Sequence, residues 1–226
     1  MKFLKTCLAL FLLPTVFFIL AETGRILLAV LGHVGTAVSF ILGILIYVAV
    51  HYRYYDFSRM YVFVHELTHA VAALLCGCRI KDISVGKNSG YVKMDRCNTF
   101  IVLAPYFVPG YMLLTVWVYW VGNFFINLTP YRQFFLFAMG FFTSFHFIQT
   151  FKTLSEADQP DLKIAGGKFF SITLIVMANL IILAVLLKAL FPEAVELAKA
   201  GRNILWGTLN VWRIIVNYIM EYAINT

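Results

Sequence analysis

Residues 26–50 read ILLAVLGHVGTAVSFILGILIYVAV, an apolar run that only His33, small residues and hydroxyl side chains interrupt. About 20 apolar residues in a helix are enough to cross the hydrocarbon core of a bilayer, so this run is long enough for a full span. Further apolar runs occupy residues 1–21, 60–76, 99–121, 134–151 and 169–190. This pattern predicts an all-α, polytopic membrane protein with about six transmembrane helices.

The composition excludes a soluble globule. Hydrophobic residues make up 62% of the 226-residue chain and charged residues only 13%, against about 25% in an average soluble domain. The 18 Lys and Arg and the 11 Asp and Glu lie mostly between the apolar runs. We therefore expect the excess positive charge to face lipid headgroups and not nucleic acid. The cysteines show no C-x-x-C spacing, which indicates neither a disulfide framework nor a zinc ribbon.

The two ends of the chain predict different helices. Residues 1–21 join a basic start to an apolar run, as signal peptides do, but no A-x-A-like site precedes Glu22. We expect these residues to be a retained membrane helix. Residues 193–226 carry polar side chains near helical period, which predicts an amphipathic helix on the membrane or on the bundle. We expect one membrane domain over residues 1–192, followed by this helix, in the inner (plasma) membrane of a bacterium.

Residues 79–95 have a different pattern, in which apolar and polar side chains alternate on either side of a turn-forming stretch at residues 86–90. Alternation of this kind predicts a β-hairpin. Unpaired strand edges cannot face lipid, because their N–H and C=O groups would lack partners. We therefore expect the hairpin to lie at the membrane interface or beside a water-filled cavity.

Residues 64–70 read VHELTHA and contain the pattern H-E-x-x-H on a predicted helix over about residues 60–76. Positions four residues apart point in nearly the same direction, so His65 and His69 can bind a single Zn²⁺ ion. Glu66 lies beside this position without being forced to bind the metal. We expect Glu66 to be the catalytic base, which takes a proton from a water molecule as the water attacks a carbonyl group.

A catalytic zinc site needs a third protein ligand and one open position. The helix offers no carboxylate after Glu66, so the ligand must come from the hairpin or from the loop over residues 152–168. The candidates are Asp82, Asp95, Glu156, Asp158 and Asp161. We expect the hairpin acids to pair with neighbouring Lys and Arg, which favours the loop. Asp158 and Asp161 are three residues apart, so one of the two is expected to bind the metal.

Three stretches resemble the site-2-protease-type intramembrane zinc metalloproteases: VHELTHA at 64–70, GCRIKDISVG at 77–86 and SGYVKM at 89–94. The resemblance implies zinc-dependent hydrolysis of a peptide bond in or near a transmembrane segment. In that family the third ligand is an aspartate of a later N-x-x-P-x-x-x-L-D-G motif. The nearest equivalent here is QPDL at 159–162, so the resemblance implies Asp161 as a metal ligand, with Asp158 in reserve.

Two other functions remain open on the residues alone, a metal-ion transporter or channel and a catalytically silent membrane adaptor. The concentration of ionisable groups in one helix and one loop favours hydrolysis. We expect the partner to be a membrane protein or a membrane-anchored peptide, which the hairpin edge could hold as an added strand. His146 is a candidate to stabilise an oxyanion or to bond Asp161, and a structural role is equally open; His33 and Asn179 are interpreted as structural.

Overall fold

The computed structural model describes residues 2–55, 57–87, 89–155 and 159–225. Most of these residues are helical, and residues 80–94 contain a two-stranded sheet. The elements are α1 (Lys2–Gly32), α2 (Val34–Arg53), α3 (Ser58–Leu75), β1 (Ile80–Val85), β2 (Gly90–Met94), α4 (Thr99–Phe107), α5 (Gly110–Phe125), a 3₁₀ turn (Thr129–Tyr131), α6 (Arg132–Ser155), α7 (Pro160–Ala165), α8 (Lys168–Leu190) and α9 (Leu197–Asn225).

Four of the described helices, α1, α2, α6 and α8, are long and apolar enough to cross a membrane. A fifth candidate is the pair α4 and α5, which is bent by 70°. The bend lies at Val108 and Pro109, because the residue before a proline is driven out of helical geometry. The prediction of six spans is therefore corrected to four or five by length and composition. The predicted span that the structure does not support is α3, whose 18 residues include the polar motif VHELTHA.

The boundary between the first two helices lies at His33 and not in the polar stretch over residues 22–25. The apolar runs predicted the opposite, because a glutamate inside a membrane helix is costly unless it has partners. The structure supplies these partners. The buried Glu22 carboxylate accepts hydrogen bonds from Arg25 and from Asn203 of α9, so the helix continues past it.

The chain divides into two compact units, one formed by residues 1–34 and 172–226 and the other by residues 35–171. In the first unit α9 packs along α1, where the rings of Phe11 and Trp212 stack with their centroids 4.6 Å apart. The terminal helix begins at Leu197 and not at residue 193. Its proposed place on a membrane surface stays a prediction.

In the second unit α2 and α6 cross with their backbones in contact. A Cβ atom added to Gly140 would collide with the backbone carbonyl of Phe40, and one added to Gly43 would collide with the carbonyl of Phe137. Small residues permit such close crossings between membrane helices. The contact fixes α6 against α2 beside the cluster of Tyr47, Tyr61 and Phe145, which joins the two helices to the N-terminal half of α3.

The predicted hairpin is confirmed. Strands β1 and β2 are antiparallel, with Val85 opposite Gly90 and an irregularity between Ile80 and Asp82. Asp82 lies 3.8 Å from the Lys93 amino group. Asp95 accepts the backbone N–H of Arg79 at 2.9 Å, and this hydrogen bond holds the pKa of Asp95 below its ordinary value. The hairpin acids are therefore used within the hairpin, as the sequence predicted.

Candidate metal centre

Helix α3 presents His65 and His69 on one face. The two residues are one turn apart, and their ring centroids lie 4.9 Å from each other. Apolar residues on the other positions of the helix pack against α4 and the hairpin, with Ala72 and Ala73 in the core beside Ile101 and Ala104. The small side chains let α4 approach closely, which encloses the two imidazoles inside the protein.

Helix α7 brings a carboxylate to these imidazoles. Pro160 occupies the start of α7, where its fixed φ angle suits the first turn of a helix, and Asp161 follows in that turn. Asp161 Oδ2 lies 3.6 Å from His65 Nε2 and 3.4 Å from His69 Nε2. The structure thus brings together the three residues predicted as metal ligands. The other loop acids that were considered, Glu156 and Asp158, lie outside the described residues.

The three side chains fit a metal ion. Their ligand atoms all lie within 4.8 Å of one another. Ligands at about 2.0–2.2 Å from a tetrahedral zinc ion are about 3.3–3.6 Å from one another, which matches the two distances to Asp161 Oδ2. Burial alone would raise the pKa of Asp161, but the two imidazoles beside it hold that pKa well below the usual range of an aspartate. The carboxylate is therefore ionised at neutral pH, as a ligand must be.

The hydrogen bond of His69 determines which ring nitrogen faces Asp161. His69 Nδ1 lies 2.9 Å from the backbone oxygen of Ile101. A carbonyl oxygen can only accept, so Nδ1 carries the hydrogen, and in the neutral ring Nε2 presents a lone pair. That lone pair faces the anionic Asp161. Either a metal ion or a second proton on His69 can lie between Nε2 and Oδ2 and satisfy both groups.

Glu66 lies buried beside this centre, under strand β2. A Cβ atom added to Gly90 would come within 2.5 Å of Glu66 Cγ and 2.9 Å of Glu66 Oε1. Glycine at this position lets the strand backbone approach the glutamate. A cavity of about 890 Å³ opens here, and its lining includes the proposed ligands, Glu66, Gln149 of α6 and residues 89–94 of the hairpin.

The contact between Gly90 and Glu66 gives a first prediction. Gly90→Ala is expected to displace either the strand or the glutamate, because the added methyl group occupies the space of the Glu66 side chain. A misplacement of about 1 Å can lower a rate about 10²-fold, and we expect a loss of that size in kcat/KM. Metal content should not change, because the proposed ligands are not displaced. Gly35→Ala is the control, because an added Cβ atom at Gly35 has no neighbouring atom within 4 Å. This variant should keep full activity.

Sequence reasoning missed two groups next to the proposed ligands. One is the carbonyl of Ile101, and the other is Tyr106, whose hydroxyl donates to Asp161 Oδ2 at 3.0 Å. A tyrosine in the middle of an apolar run, away from the interface, is the signal that could have indicated a buried polar partner. His146 is buried in α6 and is not among the described residues that line the cavity, whereas Gln149, almost one turn later, is.

Fold and centre together define a helical membrane protein with a partly buried cluster of two histidines and an aspartate. The family model described as Peptidase M50B-like matches residues 37–151, which is half of the chain and includes His65, Glu66 and His69. The chain belongs to this family, of membrane metallopeptidases of the site-2-protease type, and the resemblance of its motifs is confirmed. The comparisons with curated proteins and with solved structures gave no match.

Proposed function

We propose that the protein is an intramembrane zinc metalloprotease, which hydrolyses a peptide bond in or near a transmembrane segment of a membrane-protein substrate. The observation that carries the proposal is the convergence of His65 Nε2, His69 Nε2 and Asp161 Oδ2 beside the carboxylate of Glu66. These three residues would hold the zinc ion. When bound, the ion supplies Lewis acidity and lowers the pKa of a water molecule.

Glu66 is the proposed base. Its carboxylate takes a proton from the attacking water, whose oxygen forms a bond to the carbonyl carbon of the substrate. Glu66 then returns the proton to the amide nitrogen as the C–N bond breaks, so the residue ends in its initial state. Burial of Glu66 beneath β2 supports this role, because proton transfer in a site shielded from bulk solvent is directed to the substrate.

Strand β2 is the proposed binding element for the substrate. A transmembrane helix satisfies its own carbonyl groups, so it must unwind locally before a water molecule can attack. Residues 89–94 line the cavity, and within the described chain β2 pairs with β1 on one side only. The other edge can bind an unwound segment through main-chain hydrogen bonds. A membrane protein or a membrane-anchored peptide is therefore the proposed substrate.

The proposed location is the bilayer of the bacterial inner (plasma) membrane. Helices α1, α2, α6 and α8 support membrane integration by their length and hydropathy. Lipid headgroups, and not nucleic acid, are the proposed counter-charge for the excess of Lys and Arg.

Removal of the metal tests this function. The purified protein is placed in liposomes together with a set of single-span reporter proteins, and the fragments are identified by mass spectrometry. We expect cleavage within or next to a transmembrane segment, its loss after treatment with a chelator, and its return when Zn²⁺ is added back.

The same vesicles also test the alternative function, a metal-ion transporter or channel. Glu66→Gln protein serves as the inactive control, so cleavage by a contaminant is recognised. Zinc flux across the vesicle membrane in the absence of any cleavage would overturn the proposal in favour of a transporter or channel. Zinc-dependent cleavage without flux supports it.

A further inference from the structure

Helix α4 touches all three proposed ligands. The Ile101 carbonyl accepts the hydrogen bond from His69, the Tyr106 hydroxyl donates to Asp161, and the Tyr106 ring packs edge-on against His65 with centroids 5.1 Å apart. We propose that α4 is the positioning element of the metal centre, with Tyr106 orienting Asp161 and with Pro105 leaving the Ile101 carbonyl available to His69. This inference rests on the proposed function, because it requires that the centre binds a metal ion.

Pro105 explains why the Ile101 carbonyl can serve His69. In an α-helix the carbonyl of residue i accepts the N–H of residue i+4, and Pro105 is the residue in that position relative to Ile101. Proline has no N–H, so the Ile101 oxygen lacks its usual i+4 donor. A proline inside a helix is ordinarily destabilising. Here the carbonyl that it leaves without an i+4 donor accepts the Nδ1–H of His69 at 2.9 Å, and this bond fixes the orientation of that ring.

Tyr106, the next residue, acts on the carboxylate. Its hydroxyl lies 3.0 Å from Asp161 Oδ2 and 3.3 Å from Gln159 Oε1, and the residue has no exposed surface. A hydroxyl donates one hydrogen, and the charged, closer carboxylate is the stronger acceptor. The contact of the same hydroxyl with Gln159 Oε1 is the longer and weaker of the two. Tyr106 thereby holds the oxygen that faces both imidazoles.

The position of α4 is itself fixed at its first turn. The Asn98 side chain caps the helix by accepting the backbone N–H of Ile101 at 2.9 Å. Thr99 Oγ1 donates to the carbonyl oxygen of Ala165 in α7 at 3.4 Å. Helices α4 and α7 are therefore joined at both ends of their contact, by Thr99 and by Tyr106. A short helix such as α7 depends on such contacts to hold its aspartate in place.

Groups that orient metal ligands typically contribute about 10–100-fold to metal affinity. Tyr106→Phe removes the donor to Asp161 and keeps the ring. Pro105→Ala restores an N–H that competes with His69 for the Ile101 carbonyl. The second substitution is informative because alanine favours a helix far more than proline does. A loss of metal affinity in Pro105→Ala therefore cannot be assigned to unfolding of α4.

The experiment measures the dissociation constant for Zn²⁺ by competition with a chromophoric chelator in detergent. The variants are Tyr106→Phe, Pro105→Ala and the control Tyr111→Phe, which removes a hydrogen bond to the Met60 carbonyl outside the centre. We expect a 10–100-fold weaker affinity for each of the first two variants and wild-type affinity for the control. The visible spectrum of the Co²⁺-loaded protein should also change in the first two variants and not in the third.

A double-mutant cycle with Asp161→Asn separates orientation from general stability. If Tyr106 acts through Asp161, Tyr106→Phe will have little further effect once the carboxylate is gone. Wild-type affinities and spectra in both Tyr106→Phe and Pro105→Ala would overturn the inference while leaving the proposed function intact. A wild-type protein that binds no metal would instead overturn the proposed function.

Discussion

Glu66→Gln is expected to lower the rate of peptide hydrolysis by about 10²–10⁴-fold, because it removes the proposed proton acceptor without changing the size of the side chain. Metal content should stay at the wild-type level, since Glu66 is not in the cluster formed by His65, His69 and Asp161. The measurement is single-turnover cleavage of a reporter identified with the wild-type protein. Zinc content is determined on the same samples.

The combination of the two readouts decides the role of Glu66. Loss of both cleavage and zinc would mean that the glutamate is a ligand and not the base. Retention of cleavage within tenfold of the wild type would exclude Glu66 as the base. His65→Ala is the matched comparison, for which both zinc and cleavage should be lost.

Gly140→Ala is expected to lower the free energy of unfolding by about 3 kcal/mol or more, at or above the usual cost of overpacking. The added methyl group would collide with the carbonyl of Phe40, and a backbone group cannot rotate away as a flexible side chain can. Helices α2 and α6 would have to separate along their crossing. Because Gln149 and Lys152 of α6 line the cavity, we expect cleavage to fall together with stability.

Gly35→Ala is the matched control in α2, because an added Cβ there meets no atom within 4 Å. Alanine in place of glycine in a helix ordinarily stabilises by up to about 1 kcal/mol, so this variant should be as stable as the wild type or more stable. Equilibrium unfolding with a denaturing detergent in bicelles measures the free energy of unfolding of both variants. Equal stability of Gly140→Ala and Gly35→Ala would contradict the close crossing of α2 and α6.

The parts of the fold that depend on local pattern could be predicted from the sequence. The alternation over residues 79–95 gave the hairpin, and the spacing of His65 and His69 gave two imidazoles on one face of a helix. Both patterns involve only residues that are close together in the sequence, so they can be recognised without knowledge of the fold. Asp161 needed the resemblance to a known family, because nothing local separates it from Asp158.

The parts that depend on distant contacts could not be predicted. The apolar runs placed Glu22 between two helices, because its partner could not be recognised from the sequence. That partner is Asn203, 181 positions away, which donates a hydrogen bond to Glu22. Tyr106 and Asp161 are 55 positions apart and meet only through the packing of α4 on α7. Pro105 belongs to the apolar run over residues 99–121 and lies within α4. Its effect on the Ile101 carbonyl is evident only once His69 is placed beside it.

Metal analysis of the purified protein tests the central claim most directly. The proteins compared are the wild type, His65→Ala, Asp161→Ala and Asp158→Ala, and the quantity measured is zinc per chain after removal of loosely bound ions. A mononuclear site held by His65, His69 and Asp161 predicts one zinc ion per wild-type chain, its loss in His65→Ala and Asp161→Ala, and its retention in Asp158→Ala. A wild type without metal, or zinc that survives in His65→Ala, would contradict the account, and loss in Asp158→Ala alone would reassign the third ligand.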